Sequence, residues 1–381
     1  MRSSGIAIFV IASLCLINSP KILAACPSAD ITSDCFVDFE DFALVANQWL
    51  NSYDWNDVNT LAIQWLTTDP CVPDDMVYIP DGNFVMGDHF APEGFDDELP
   101  LHPVLLDAFF MGKYEIINQQ YCDFLNSAYP AQLKVVSGVV YAASDTGNSH
   151  PYCDTHSSSS FSQIDYNDVT GTFSVRTKGS PPRDMSNDPM VDVSWYGAVA
   201  YCNWRSSTEG YEECYDLSTS NCNFTKHGYR LATEAEWEYA ARGGLAGNRF
   251  PWNDPNISHS RANYYAFPSY YDENPTGGYH PDWNDGVFPY TCPEGTFAAN
   301  GYGLYDMAGN VCEWCNDWFT SDYYDTSPYD NPTGPVSGSY RVIRGGSWDL
   351  DANYCRVAYR YGFRPVIWGF NLGFRIVLDL E

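Results

Sequence analysis

Turn-forming residues and large aromatic rings occur along the whole of this chain, and they restrict its fold more than any other feature. The sequence contains 29 Gly, 24 Pro, 29 Tyr and 12 Trp among 381 residues. Frequent Gly and Pro interrupt regular elements, so aromatic rings rather than aliphatic helix stripes must fill the interior. A helical bundle is therefore excluded, and the length favours one large domain accompanied by a smaller segment.

The charge balance limits the class of partner. The chain carries 49 Asp and Glu against 19 Lys and Arg, a formal net charge of −30. Such a surface repels nucleic acid and anionic membranes over most of its area. We therefore predict no nucleic-acid partner.

The first 25 residues are predicted to be a signal peptide. Arg2 precedes an apolar run at residues 5–17, and the small residues Ala24 and Ala25 follow. The run is shorter than the roughly 20 residues that a membrane span requires, and no later segment is suited to one. We expect an exported protein without a membrane span. Two outcomes remain open at the cleavage site, because the segment ending at Cys26 also resembles a lipobox that would produce a lipoprotein.

The cysteine content is consistent with export. Of 13 cysteines, Cys15 lies in the predicted signal peptide, and the even remainder favours disulfides in an oxidising compartment. The short polar connection between Cys214 and Cys222 suggests a disulfide that joins two adjacent strands.

Residues 26–66 contain an acidic loop followed by a helical segment, and part of this arrangement recurs sixteen residues later. The loop carries carboxylates at calcium-loop spacing, namely Asp30, Asp34, Asp38 and Asp41. This region resembles a dockerin-type repeat, a small helical module, which implies bound calcium and a cohesin-like partner. The alternative is a solvated acidic turn before a helix hairpin. Residues 67–75 are predicted to be a linker.

The main domain is predicted to start near Met76. Residues 76–87 alternate around Pro-Asp-Gly, which predicts a β-hairpin. Two amphipathic helices are predicted, one with Ser194 as N-cap and one with a capping box formed by Thr233 and Glu236. Two helices among many strands indicate an α+β domain.

Several motifs in this domain resemble the formylglycine-generating enzyme, or sulfatase-modifying factor, family. They are Met76-Val-Tyr-Ile-Pro, Lys113-Tyr-Glu, Val193-Ser-Trp-Tyr-Gly-Ala, Gly228-Tyr-Arg-Leu-Ala-Thr-Glu-Ala-Glu-Trp-Glu, Asn300-Gly-Tyr-Gly-Leu-Tyr-Asp-Met-Ala-Gly-Asn-Val, Arg344-Gly-Gly-Ser-Trp and Gly373-Phe-Arg. The resemblance implies a C-type-lectin-like α+β fold, poor in regular secondary structure, over residues 76–381. Residues 137–190 interrupt it as an insertion, in which residues 138–142 and 172–176 are predicted to form a hairpin.

The resemblance also implies copper chemistry. Enzymes of this family oxidise a substrate cysteine to formylglycine with oxygen and Cu(I), which two cysteines hold as thiolates. The matching positions, two and seven residues after Trp348, are Leu350 and Cys355. Cys355 is the candidate catalytic residue, while packing or a disulfide is its alternative role. A replacement sulfur could come only from Cys312 or Cys315.

Two calcium sites are implied by the same resemblance. The residues of the first are Asn263, Tyr264, Asp285 and Val287. The residues of the second are Asp306, Gly309, Val311 and Glu313. Mixed carboxylates and carbonyls suit calcium, although the same side chains could merely cap turns.

Basic residues are concentrated near the end of the chain, where Arg356 and Arg360 are candidates for binding an anion or a substrate carboxylate. The alternative is that they pair with nearby acids such as Asp349 and Asp351.

Two functions follow from the sequence. One is an exported, copper-dependent formylglycine-generating enzyme with an incomplete cysteine pair. The other is a non-catalytic, lectin-like module that binds a peptide, a glycan or a secreted protein.

Overall fold

A computed structural model of the chain contains both expected helices and a third that precedes them. It describes residues 73–379 apart from residues 92, 269, 270 and 275. The predicted signal peptide, the lipid site and the dockerin-like repeat lie outside these residues and stay predictions. The helices are α1 (Asn118–Ala128), α2 (Trp195–Glu209) and α3 (Glu234–Arg242). No helix in this described part is long and apolar enough to cross a membrane.

The predicted caps begin α2 and α3. The Ser194 hydroxyl accepts a hydrogen bond from the Gly197 amide, and the Thr233 hydroxyl accepts one from the Glu236 amide. The Glu236 carboxylate in turn accepts from the Thr233 amide at 2.7 Å, which completes the capping box. The prediction is confirmed for both helices. Helix α1 was not predicted, because the apolar Ile117 stands at its N-cap position.

Nineteen short strands, named β1 to β19 in chain order, accompany the helices in the described residues. One four-stranded sheet has the order β1 (Met76–Ile79), β4 (Phe109–Gly112), β19 (Ile376–Asp379), β14 (Tyr229–Leu231) and is antiparallel. The other has the order β17 (Tyr361–Phe363), β16 (Arg341–Arg344), β15 (Cys312–Trp318), β18 (Leu372–Gly373), with only β15 and β18 parallel. This mixture of few helices and short strands is the α+β, C-type-lectin-like class expected.

The remaining strands form small antiparallel sheets. They are β2 (Gly82–Met86) with β3 (His102–Leu106), β5 (Leu133–Val136) with β6 (Val139–Ala142) and β7 (Pro151–Asp154), β8 (Ile164–Asn167) with β9 (Thr172–Val175), β10 (Thr177–Lys178) with β11 (Arg183–Asp184), and β12 (Tyr215–Asp216) with β13 (Asn221–Cys222). The predicted hairpin within the insertion is wrong, because its two segments are β6 and β9, which lie in different sheets.

The predicted opening hairpin is also wrong. Strands β1 and β2 form, but β1 pairs with β4 and β2 pairs with β3. Only Pro80 and Asp81 separate β1 from β2. A two-residue hairpin needs positive φ at one or both central positions, and proline is fixed near −65°. The chain therefore leaves one sheet and enters another at this point.

The nine cysteines in the described residues are free thiols. Strands β12 and β13 pair as expected, but Cys222 stands opposite Tyr215 rather than Cys214. Cys214 precedes β12, and its carbonyl accepts from the Asn223 amide at 2.8 Å. The predicted crosslink between Cys214 and Cys222 is absent from the structure.

Helix α3 packs in the main core against β2, β3, β15 and β16. Trp237 and Ala240 of α3 belong to the same buried cluster as Ile79 of β1 and Met111 of β4. Helix α2 packs closely against the backbone of β7, because a Cβ on Gly197 would lie 2.2 Å from the Tyr152 carbonyl oxygen. Glycine at this helix position thus permits the contact.

Candidate functional site

A tight loop after β16 carries the candidate catalytic residue. Gly345 and Gly346 both have positive φ, and a Cβ on Gly346 would lie 2.8 Å from the Cys355 Sγ. Only glycine therefore lets the loop fold back over the thiol. The loop ends in a 3-10 turn at Ala352–Cys355.

Cys355 is fully buried, with a relative exposure of 0%. Its neighbours include Phe250, Tyr264 and Ala352, which form an apolar cluster with it. Burial raises the pKa of the Cys355 thiol well above its usual value, and the neighbouring Cys312 contributes to the rise. The thiolate, which is the form that binds metal or attacks a substrate, is therefore disfavoured here.

The position of the family's first cysteine holds a side chain without any metal-binding atom. Leu350 is half-buried, its amide donates to the Ser347 carbonyl at 3.1 Å, and its carbonyl accepts from the Tyr265 amide at 3.0 Å. These backbone bonds fix the loop. The residues present do not fit the two-sulfur copper site of the family, because one of the two sulfurs is missing.

Of the two other cysteines considered, Cys312 is the one that lies near Cys355. Both thiols interact with Ser347, Cys312 through the serine side chain and Cys355 through its backbone. Cys315 lies three positions further along β15, which turns its side chain to the opposite face. It belongs to the main core cluster instead.

Arg356 and Arg360 lie in the interior and are paired. Arg356 donates two hydrogen bonds of 2.6 Å to Glu98, and Arg360 donates two of 2.7 Å to Glu234. Both residues are 1% exposed. Arg356 and Arg360 thus pair with acids in the structure, although the partners are distant glutamates rather than Asp349 or Asp351. A role in binding an external anion stays a prediction without a free guanidinium to support it.

The second predicted calcium set lies around a buried ion pair. The Glu313 carboxylate accepts from Arg375 Nε and Nη2, both at 2.7 Å, and from Trp237 Nε1 at 2.7 Å. Asp306 accepts only a longer bond of 3.3 Å from the Gly295 amide among the contacts of the described residues. Glu313 is therefore already satisfied by protein donors, whereas Asp306 is not.

A further buried carboxylate, Glu115, adjoins this set. It accepts from Asn310 Nδ2 at 2.7 Å and from the Val311 amide at 3.2 Å. Burial, with the charge of Asp306 as the next cause, raises the pKa of Glu115, and burial raises the pKa of Asp306 to about 7. The three carboxyl groups of Glu115, Asp306 and Glu313 thus lie near one guanidinium, that of Arg375, in this part of the interior.

The first predicted calcium set is divided between separate contacts. Asp285 and the Val287 carbonyl meet at the ammonium of Lys178, whose Nζ lies 3.5 Å from Asp285 Oδ2 and 2.9 Å from the Val287 oxygen. The Tyr264 carbonyl accepts from the His259 ring at 3.0 Å, and Asn263 Nδ2 donates to the Tyr290 carbonyl at 2.8 Å.

A partly exposed group of rings lies beside Leu350. We call it the aromatic face, and it consists of Phe161, Tyr265, Tyr279, Phe288, Tyr290, Trp348 and Phe370. Trp348 is its buried base, with ring centroids of four neighbours 5.4 to 5.7 Å away at angles between 32° and 65°. Phe288 is 39% exposed. The face thus presents tilted rings rather than one flat surface.

A cavity of about 460 Å³ lies elsewhere, lined by residues such as Phe84, Tyr239 and Tyr302. None of the predicted site residues lines it.

Three features of this region were not predicted from the sequence. Glu115 belongs to the quoted Lys113-Tyr-Glu motif, which offered a hint of a buried role. Lys178 lies in the insertion, where nothing in the sequence indicated a partner. The rings of the aromatic face come from segments far apart in the chain, so no local pattern could reveal them.

Comparison of this chain with known proteins identifies the same family as its sequence motifs. The family described as sulfatase-modifying factor enzyme 1-like domain matches residues 65–380. The chain is 34% identical to the formylglycine-generating enzyme of Streptomyces coelicolor over 80% of this chain and 89% of that protein. It is 30% identical to the inactive C-alpha-formylglycine-generating enzyme 2 of Bos taurus, over 84% and 92% respectively. Among solved structures, PvdO from Pseudomonas aeruginosa matches with a TM-score of 0.53 and 25% identity, over 80% of this chain and 94% of that one.

Proposed function

This chain belongs to the sulfatase-modifying factor enzyme 1-like family, and from that premise we propose that it is a binding protein rather than a copper-dependent oxidase. One observation carries the proposal: Cys355 is a fully buried thiol, and Leu350 stands where the second sulfur of the pair belongs. A relative of similar length that is named inactive supports the idea that members can keep the fold without the activity.

The chemistry explains why the oxidase reaction should fail. Cu(I) is a soft ion that two thiolates hold, and leucine offers no lone pair. Burial also keeps the Cys355 thiol protonated, because its pKa is raised. A single neutral sulfur in an apolar cluster therefore lacks both the ligand number and the charge that the copper site requires.

The aromatic face supports a peptide as the ligand. Aromatic rings are enriched where proteins bind one another, since they bury a large area with little loss of side-chain freedom. Flat sugar rings stack best on a single open ring, whereas the rings around Trp348 are tilted by 32° to 65°. Tilted rings instead present both faces and edges, against which proline and branched side chains can pack.

Calcium at the second set forms a separate part of the proposal. Asp306 and Glu115 add two acidic groups beside the Glu313–Arg375 pair in the interior, and their raised pKa values show that ionising them there is costly. Buried carboxylates without a matching cation are costly, and calcium accepts irregular oxygen ligands. We propose that the calcium ion holds the loop of Asp306, Gly309 and Val311. Glu115 would bind the ion in addition to the predicted residues.

The first 72 residues contribute the remaining proposals. The signal peptide would export the protein, with lipidation at Cys26 as the alternative fate. The repeat at residues 26–66, with its carboxylates from Asp30 to Asp41, would then bring calcium and a cohesin-like partner. Both proposals rest on the sequence alone.

The test uses the purified full chain and two labelled peptides, Cys-x-Pro-x-Arg and its serine counterpart. We expect no aldehyde by mass spectrometry with or without copper, and we expect fluorescence polarisation to detect binding of both peptides. Phe288→Ala should weaken binding at least about fivefold. Phe267→Ala is the matched control, because Phe267 is 61% exposed and lies outside the aromatic face.

The outcomes separate the two functions. Aldehyde that forms only with copper would overturn the binding-protein proposal. Absence of binding by a folded protein, or equal binding by the Phe288 variant, would contradict the peptide site. The second candidate function, an oxidase in which Cys312 supplies the missing sulfur, is favoured by one observation: Cys312 and Cys355 interact with the same serine. That enzyme would lose aldehyde formation in Cys312→Ser.

A further inference from the structure

The Lys178 ammonium is buried among oxygen atoms of one loop. It donates hydrogen bonds to the carbonyls of Val287 and Pro289 and lies 3.5 Å from the Asp285 carboxylate. The lysine side chain is only 2% exposed. Three oxygens of residues 285–289 therefore converge on one cation that belongs to the protein.

Two of these oxygen donors are residues that the family resemblance assigns to calcium. A calcium ion binds oxygen at 2.3 to 2.6 Å, so an ion held by Asp285 and the Val287 carbonyl would lie within a few ångströms of the ammonium. Two cations at such a short separation in a poorly solvated site repel each other strongly. The ammonium and the ion therefore exclude each other.

The other two assigned residues are partly engaged. The Tyr264 carbonyl accepts from the His259 ring, and Asn263 Nδ2 donates to the Tyr290 carbonyl and to Asn310, whereas Asn263 Oδ1 is buried without a hydrogen-bond partner among the described residues. With the Lys178 ammonium already held by Asp285 and the Val287 carbonyl, the residues present do not fit a calcium ion at the first site.

We propose that Lys178 replaces calcium at the first site, as a covalently attached cation that fixes the loop at residues 285–289. The lysine lies in β10, within the insertion at residues 137–190 that interrupts the family pattern. The insertion thus brings its own cation to the loop that the metal would otherwise hold.

A second cation from the same hairpin fixes the end of this loop. Arg183 of β11 donates to the Thr291 carbonyl at 3.1 Å and pairs with Asp188, which accepts from the Thr291 hydroxyl at 2.6 Å. Phe288 lies between the two carbonyls that Lys178 binds. The β10–β11 hairpin therefore orients the most exposed ring of the aromatic face.

The experiment counts calcium ions bound to the purified full chain by native mass spectrometry and measures its melting temperature with calcium and with EDTA. Any other calcium site contributes equally to all variants. Asp285→Asn in the otherwise unchanged chain should leave the number of bound ions the same. Lys178→Met should bind one additional ion, and calcium should raise its melting temperature more than that of the unchanged chain.

The additional ion should disappear in the double variant Lys178→Met/Asp285→Asn. Lys226→Met is the matched control, because Lys226 is half-buried and its ammonium donates to the Glu213 carbonyl rather than to the loop at residues 285–289. Loss of one ion on Asp285→Asn alone would overturn the proposal, and so would a folded Lys178→Met variant that gains none. If Lys178→Met does not fold, the count for Asp285→Asn alone decides.

Discussion

Glu98 and Arg356 lie 258 positions apart in the sequence and form two parallel hydrogen bonds of 2.6 Å in the protein interior. Both side chains are almost fully buried. The pair joins the 3-10 turn at Asp96–Glu98 to the loop that carries Cys355. Arg356, which was a candidate for ligand binding, therefore holds two distant segments of the chain together.

Glu98→Gln should destabilise the protein strongly. The variant leaves the buried Arg356 guanidinium with Asp88, 3.9 Å away, as its remaining counter-charge among the described residues, and breaking a buried ion pair typically costs about 3 to 5 kcal/mol. Urea denaturation at neutral pH measures the free energy of unfolding. The control is Asp254→Asn in the Arg261–Asp254 pair, where both side chains are about one third exposed. That change should cost much less than Glu98→Gln, because solvent screens the exposed pair, and equal losses in both variants would contradict the assignment.

The sequence predicted those features that depend on neighbouring residues. Ser194 and the pair Thr233 and Glu236 act within one helical turn, so their cap function could be read directly from the chain. The family motifs gave the fold class for the same reason, since each is a short continuous string. Helix α1 escaped prediction because its first turn uses Gln120 to accept from the Ile117 amide, without a polar side chain at the cap.

Features that depend on distant partners could not be predicted. Arg360 was a candidate for binding an anion, with pairing to nearby acids as the alternative, but its partner Glu234 lies 126 positions away. The prediction of strand pairing failed for a similar reason, because the sequence shows where β1 and β2 lie but not which strands they contact. The candidate cysteine, Cys355, was identified by resemblance to the family. Its burial and its proximity to Cys312 could be seen only once the fold was known.

Stability should increase as the pH falls through the range in which Asp192 titrates. Burial, opposed by a hydrogen bond from Ser159 and reinforced by the charge of Asp154, raises the pKa of Asp192 to about 7. The folded chain thus binds this proton more tightly than the unfolded chain, whose aspartates titrate near pH 4. Asp192 therefore contributes on the order of 1 kcal/mol per pH unit as the pH falls from about 7 to about 4.

Thermal unfolding at pH 5 and pH 8 in the unchanged chain and in Asp192→Asn tests this sign. The variant should lose most of the stability difference that Asp192 contributes, because its amide does not titrate. A variant with the same pH dependence as the unchanged chain would show that another group is responsible.

Gly197→Ala should destabilise the packing of α2. A methyl group at this position would lie 2.2 Å from the Tyr152 carbonyl oxygen and 2.7 Å from the Tyr121 hydroxyl. Neither atom can move without disturbing buried structure, so we expect a loss of about 1 to 3 kcal/mol despite the better helix propensity of alanine. Gly147→Ala is the control, because its nearest atoms would be 3.9 Å away. Chemical denaturation of both variants should therefore show a loss for Gly197 alone.

Leu350→Cys should create a Cu(I) site where the unchanged chain has none. The substitution places a sulfur two positions after Trp348 and five before Cys355, which is the spacing that the family resemblance implies. Two thiolates can hold Cu(I), and binding of the metal offsets the cost of deprotonating the buried Cys355 thiol, whose pKa is raised. Competition with a chromophoric Cu(I) chelator should detect one tightly bound ion per chain in the variant, and Leu350→Cys/Cys355→Ser should lose it. If the unchanged chain already retains Cu(I), and Cys312→Ser removes it, then Cys312 supplies the second sulfur and the oxidase becomes the better supported function.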